Sequence, residues 1–269
     1  MSVDLPTVAP PFVCIFCGAG GPFNSQEHIV PHSLGNDLLV LAKGWVCDSC
    51  NTTFSGFESR VLYSSILGAE RCRMGVMTKR NRPAHSKTHG VSWFAQPTSS
   101  PNVVTAEAAW DKVPLLVSDD GTRGRLVVPL HDETNADIGR FLLKIGIEIL
   151  SPLLKNGGER SSYDLQQAKK YLVTGAGEPW PYFLLRDRNA TAHLVSVFDA
   201  SPQDHEYVNL CGFDIFLHEI DDQPIVFLGY GAFFGALCLT SRDTGWRDVL
   251  VQWGASHVGC PSEYAQLCG

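Results

Sequence analysis

Positive charge is in short supply. Of 269 residues, 21 are Lys or Arg against 28 Asp or Glu, a formal net charge of −7. That shortage excludes a protein that coats nucleic acid through bulk electrostatics, so any anionic partner must be met locally. Internal repeats and long low-complexity tracts are also lacking. Residues 1–12 have no basic stretch leading into an apolar run, so no secretory signal is read there and a cytoplasmic location is expected. No apolar run is convincing as a membrane span. Pro224 to Ser241 carries no charge, but Gly229, Gly231 and Gly235 interrupt it and it barely reaches bilayer length, so a pair of buried strands or a glycine-bent strand is expected and no membrane partner.

What is present can build a real core, with 44% hydrophobic residues and 18% charged. One or two domains are expected for this length. Charge is unevenly placed: residues 1–90 carry 8 basic and 6 acidic side chains, and the remainder is acidic. Between Arg71 and Gly90 stand Arg71, Arg73, Lys79, Arg80, Arg82, Lys87, His85 and His89, with no carboxylate. This stretch reads either as a phosphate-facing extension or as a solvated linker.

Local patterning predicts mixed structure. A strand-like run covers Leu38 to Val46, helical sequence begins near Cys47, and Phe57, Val61, Leu62 and Ile66 form an apolar stripe over Phe57 to Leu67. Strand-like runs come next at Val91–Phe94, Val103–Trp110, Leu115–Ser118 and Arg125–Leu130. Asn135 to Leu150 reads as the longest helix, N-capped by Asn135, with Ile138, Phe141, Leu142, Ile145 and Ile149 on one face and Pro152 marking its end. A shorter helix, Ser162 to Leu172, is expected to stop before Gly175. Strands return at Tyr182–Leu185, His193–Phe198, Gly212–Ile220 and Pro224–Thr240, with Asp221-Asp222-Gln223 as a turn.

Nine cysteines are an odd number, and four of them form two close pairs. Cys14-Ile-Phe-Cys17 and Cys47-Asp-Ser-Cys50 are C-x2-C knuckles separated by 29 residues, a spacing that suits a tetrahedral structural Zn²⁺ better than a disulfide framework. Cys72, Cys211, Cys238, Cys260 and Cys268 show no ligand spacing and read as small buried apolar residues.

Between the knuckles runs Glu27-His28-Ile29-Val30-Pro31-His32-Ser33-Leu34-Gly35-Asn36, and Asn51 directly follows Cys50. Phosphodiester hydrolysis requires an activated water and a cation on the leaving oxygen. Neutral His28 can accept a proton near physiological pH. Glu27 and Asn51 offer oxygen donors suited to Mg²⁺. On these residues the chain resembles the HNH endonuclease family in its zinc-bearing, four-cysteine branch, over Cys14 to about Glu58 and more loosely to His89. The resemblance implies an α+β chain: an N-terminal zinc-bound ββα-metal, treble-clef-like module over residues 1–70, a basic extension over 71–90, and an α+β domain of unassigned role over 91–269. It further implies His28 as general base, Glu27 and Asn51 as ligands of a catalytic Mg²⁺ or Mn²⁺, and Asn36 as the brace of the loop between hairpin strands. Glu replaces the commoner Asp at the cation position, and Asn replaces the commoner final His.

DNA, most simply double-stranded, is the expected partner, with His32, Arg60, Lys79, Arg80 and Arg82 as phosphate contacts. Glu58 and Arg60 lie just beyond the metal-binding helix start, where they could orient water or a phosphate, but helix-surface charges are the favoured reading. A homodimer and an effector ligand on the C-terminal region are further expectations, as is a role in defence against foreign DNA. The alternative is a non-catalytic zinc module that binds nucleic acid or protein.

Overall fold

A computed structural model describes residues 9–78, 80–88, 90–95, 104–108, 115–117, 124–126, 135–155, 163–186, 213–231, 233–252 and 256–257. The chain is mixed α+β. Its first strand, β1 (Glu27–His28), pairs antiparallel with β2 (Val40–Leu41), Glu27 opposite Leu41 and His28 opposite Val40. The link between them contains one 3-10 turn, His32–Leu34, closed by Gly35 at φ 84°, a conformation that glycine adopts without steric cost. Only two residues of the expected Leu38–Val46 strand form β2.

Helix α1 (Asp48–Ser64) starts where the second knuckle predicts, with Cys47 as N-cap and its Sγ accepting the Cys50 N–H. It buries Cys50, Phe54, Phe57, Val61 and Leu62, spaced along one side of the helix. The predicted stripe through Ile66 is buried, but the helix breaks inside it. Ser65 turns extended (φ −114°, ψ 174°) and its hydroxyl accepts the Leu67 N–H, capping a new helix, α2 (Ile66–Arg73). The reason lies in tertiary packing. A Cβ on Gly68 would stand 2.5 Å from the Leu62 carbonyl oxygen and 2.5 Å from the Ser86 hydroxyl, so the backbone approaches more closely here than any side chain permits.

The described residues between 71 and 90 are not simply the solvated linker that their charge allows. Arg71 and Arg73 belong to α2, and Arg71 is buried with Nη2 donating to the His85 carbonyl at 3.1 Å. β3 (His85–Thr88), β4 (Val91–Ala95) and β5 (Val104–Ala108) then form an antiparallel meander whose first strand packs on α1 and α2. β6 (Leu115–Val117) and β7 (Gly124–Leu126) pair as a separate ribbon.

Helix α3 (Asn135–Lys155) is buried continuously from Phe141 to Leu150, as expected of a helix enclosed on all sides. It does not end at Pro152 but runs to Lys155. A proline in the last turn removes one backbone donor, and the packing along the preceding turns outweighs that loss. Helix α4 (Gln166–Thr174) starts later than predicted and ends on Gly175 at φ 64°. Arg140 of α3 donates to its Leu172 carbonyl at 2.7 Å.

The remaining strands are β8 (Phe183–Arg186), β9 (Phe213–Ile220), β10 (Gln223–Tyr230), β11 (Phe233–Cys238) and, after helix α5 (Trp246–Gln252), β12 (Ser256–His257). They form one antiparallel sheet in the order β12-β8-β11-β10-β9. Asp221 and Asp222, both at positive φ (50° and 58°), close the β9–β10 hairpin, the two-residue primed turn that suits a twisted ribbon. The uncharged Pro224–Ser241 segment is thus mostly a hairpin, and among the described residues no helix is long and apolar enough to cross a membrane.

α3 lies between this sheet and α1. A Cβ on Gly146 would reach Leu239 at 2.4 Å and Val226 at 3.0 Å. One cluster of buried apolar side chains therefore runs from Cys14 through α1 and α3 to Leu239, without parting at residues 71–90. A second cluster fills the space between the sheet and α5, around Phe183, Phe227 and Trp246. The expected strand at His193–Phe198 lies outside the described residues, as do Cys211, Cys260 and Cys268. Cys72 and Cys238 are buried, in keeping with their lack of ligand spacing.

Candidate functional site

Cys14, Cys17, Cys47 and Cys50 bring their sulfurs within 4.8 Å of one another. The chain bends around Gly18 (φ 75°), whose N–H returns to the Cys14 carbonyl at 3.0 Å, so the first knuckle curls toward the N-terminus of α1. Cys17 Sγ stands 3.6 Å from Cys47 Sγ. That is too long for a disulfide and close to the sulfur separation of about 3.8 Å that a tetrahedral site with Zn–S bonds of about 2.3 Å requires. The donor set fits a zinc ion, which would act here as a structural clamp between knuckle and helix.

The sulfurs share their protons unequally. Cys14 is lowered to about 4 by accepting a hydrogen bond from Cys50, against the cost of burial and with help from nearby backbone N–H groups. Cys50, the donor, is pushed upward. Burial raises Cys47. Four sulfurs packed this closely disfavour four simultaneous thiolates unless a cation neutralises them.

The loop from the first knuckle is fastened to α1. Asp48 Oδ1 accepts the Ser25 N–H at 2.7 Å and the Ser25 hydroxyl at 2.5 Å, with the Asn24 N–H at 3.2 Å. These bonds hold the Asp48 carboxyl below its ordinary value, the Ser25 hydroxyl being the largest cause. Asn36 sits inside the loop joining β1 to β2 and is 1% exposed. Its Nδ2 donates to the carbonyls of Val30 (2.6 Å) and Leu39 (2.9 Å), and its Oδ1 accepts the N–H groups of Leu38 (3.0 Å) and Leu39 (2.8 Å). One side chain thus ties both ends of the loop.

β1 then separates its two residues, as alternation along a strand demands. His28 is half-buried and lies edge-to-face with His32, ring centroids 5.8 Å apart. His32 Nε2 meets Asp37 Oδ1 at 3.1 Å. Glu27 is buried on the other side, and its Oε1 is 2.7 Å from Nζ of Lys144 on α3. Lys144 has zero exposure and also meets Glu58 at 2.9 Å and Glu148 at 3.2 Å, while donating to the His28 carbonyl at 2.8 Å. Burial alone would pull this ammonium down; Glu148, Glu58 and Glu27 together hold it above its ordinary value. Burial raises Glu148, with Lys144 opposing and the other two carboxylates reinforcing the rise.

Several expectations change accordingly. Glu58 is no helix-surface charge but a member of this cluster. Arg60 gives Nε and Nη2 to the Asp137 carboxylate at 2.6 and 2.9 Å, so a phosphate would have to compete with a bidentate partner. Arg80 and Arg82 are exposed at the tip of a turn in which Thr78 N–H reaches the Arg82 carbonyl at 2.8 Å and Asn81 sits at φ 53°. Lys79 lies outside the described residues. Asn51 is half-buried in the first turn of α1, its N–H on the Cys47 carbonyl at 3.0 Å. It precedes Glu58 by seven residues, two turns along the same helix side and a rise of about 10 Å.

Lys144 and Glu148 are members of the cluster that motif spacing does not point to. The signal they leave in the sequence is an i,i+4 charged pair inside an otherwise apolar helical run.

Glu27 and Asn51 each carry an oxygen donor of the kind a hard cation takes. No protein-family model matches the chain, and neither the curated proteins nor the solved structures provide a match.

Proposed function

We propose that the hairpin–helix unit from Cys14 to Ser64 is a metal-dependent endonuclease centre of the HNH kind that hydrolyses DNA phosphodiester bonds. What carries the reading is the coincidence in one small unit of a four-sulfur cluster, a β-hairpin presenting His28, a loop braced by Asn36, and a helix after it with Asn51 in its first turn. Each element is common by itself; their order and spacing are not.

In this reading zinc on Cys14, Cys17, Cys47 and Cys50 is structural. His28 accepts the proton of the attacking water, and its half-burial keeps the ring accessible. Glu27 and Asn51 hold a Mg²⁺ or Mn²⁺ ion, which supplies Lewis-acid stabilisation of charge on the phosphate and leaving oxygen. His32 stands beside His28, where a phosphate oxygen can be shared. Arg80 and Arg82, with Lys79, supply local positive charge on an acidic chain, the two arginines from an exposed turn. Products carry a 5′-phosphate and a 3′-hydroxyl. Two such centres in a homodimer would serve both strands of a duplex, and defence against foreign DNA is a context that fits. The C-terminal region would then select substrate, assemble the protein or respond to an effector ligand.

A second reading, a zinc module that binds nucleic acid or protein without cutting, is favoured by one observation: Glu27 already has a cationic partner in Lys144. Incubation of the purified protein with supercoiled plasmid under Mg²⁺, Mn²⁺ or chelator separates the two. Nicking that requires the cation and is lost in His28→Ala, with zinc content retained, supports the nuclease. Absence of nicking under every cation leaves the binding module.

A further inference from the structure

The hydrolytic reading places its centre in residues 14–64 and draws on no named residue of α3 or of the five-stranded sheet. Lys144 connects that centre to α3. It reaches from α3 across to β1 and arrives with zero exposure, 2.7 Å from Glu27 Oε1 and 2.8 Å from the His28 carbonyl, with the Ile29 carbonyl at 3.4 Å. Glu58 of α1 binds the same ammonium at 2.9 Å. One cation therefore fixes a carboxylate and a backbone segment of β1 relative to α1 and α3.

An ammonium in this position is costly to bury. A hydrophobic residue would pack α3 equally well, as Phe141, Leu142 and Ile145 around it do. Its geometry is that of a grip rather than of a lone ion pair: the donor is shared between the acidic residue of the motif and the carbonyl of the histidine beside it. Glu148, four residues along α3, closes the remaining side at 3.2 Å.

We propose that Lys144 is a positioning residue through which the C-terminal half of the chain sets the placement of Glu27 and His28. It touches neither water nor phosphate; it acts through the two residues it holds. The same helix is locked to the sheet at Gly146, where Val226 and Leu239 leave no room for a Cβ, so a displacement of the sheet is transmitted to β1 along a rigid element. This inference rests on the hydrolytic reading for its functional meaning, but the grip itself is measurable without cleavage.

The test replaces the buried i,i+4 pair together, Lys144→Met with Glu148→Leu, because removing the lysine alone strands three carboxylates. Glu148→Gln is the control that leaves the grip on β1. In the double variant zinc content should stay near wild type, while the melting temperature should fall because Glu27 and Glu58 still lose their cation. The Ile29 amide, which donates to the Leu39 carbonyl at 3.1 Å across the hairpin, should exchange with solvent at least tenfold faster. The Mn²⁺ concentration for half-maximal plasmid nicking should rise at least tenfold and kcat should fall as much, with KM for plasmid within twofold. The control should match wild type in all of these. Unchanged Ile29 exchange and an unchanged Mn²⁺ requirement in a folded double variant would overturn the proposal. Should wild type fail to nick, the hydrolytic reading falls and the exchange arm alone decides whether Lys144 holds β1. Should the double variant fail to fold, native-state exchange of the wild type decides: Ile29 opening together with the α3 amides supports the grip, and Ile29 opening freely while α3 stays protected refutes it.

Discussion

Replacing Asn36 by alanine tests whether one side chain holds the loop between β1 and β2. The wild-type amide makes four hydrogen bonds, to the carbonyls of Val30 and Leu39 and from the N–H groups of Leu38 and Leu39, at 1% exposure. At a net contribution of about 1 kcal/mol per bond, with the penalty of leaving buried backbone groups unpaired on top, the loss is about 3–5 kcal/mol. For a protein of this size that corresponds to a fall in melting temperature of about 10 °C. Asn36→Asp should be no milder, since a carboxylate placed against two carbonyl oxygens loses both donors and adds repulsion. The assay is thermal unfolding of zinc-loaded protein by circular dichroism, with hydrogen exchange read at Leu38 and Leu39. A melting temperature within about 2 °C of wild type, with those amides still protected, would refute the brace.

The N-terminal unit is legible in the sequence because its signals are local. A thiol just before the first helical turn is both a metal-ligand spacing and an N-cap, so Cys47 marks the start of α1 twice over. The turn at Asp221-Asp222 and the stop at Gly175 are read the same way, from residues that tolerate positive φ. Where tertiary packing decides, local patterning misleads. The only local signal of a break in the Phe57–Ile66 stripe is Ser65, a residue able to cap, and the close approach of Gly68 to Ser86 on β3 is what makes the chain use it. Pro152 reads as a terminator from local chemistry, and packing carries α3 past it. The six basic residues of the Arg71–Gly90 stretch look alike in sequence, yet Arg71 is buried against a carbonyl while Arg80 and Arg82 face solvent. The Lys144 contact joins residues 116 apart. No periodicity within either segment encodes that meeting.

Three further outcomes are expected of the site. Cys47→Ser removes one of four sulfurs and the cap of α1, so zinc content measured by atomic absorption should fall sharply and α1 should lose exchange protection; a variant that keeps full zinc would exclude the four-sulfur centre. Replacing Lys79, Arg80 and Arg82 by alanine should weaken DNA binding and flatten the dependence of log affinity on log salt by up to about 3, and an unchanged slope would remove the turn from the interface. Asp48 supplies the pH dependence. Its carboxyl is held below the ordinary value of 3.8, chiefly by the Ser25 hydroxyl, so the native state binds this proton more weakly than the unfolded chain does. The stabilisation is therefore fully present above that ordinary value and is lost as pH falls through the lower native one. Urea midpoints of wild type and Asp48→Asn should differ by a constant amount above about pH 5 and converge below about pH 4. Both proteins carry the same four cysteines, so acid-induced loss of any metal held there is common to both. A gap that stays constant or widens on acidification would show that Asp48 does not fasten the loop to the helix as a charged acceptor.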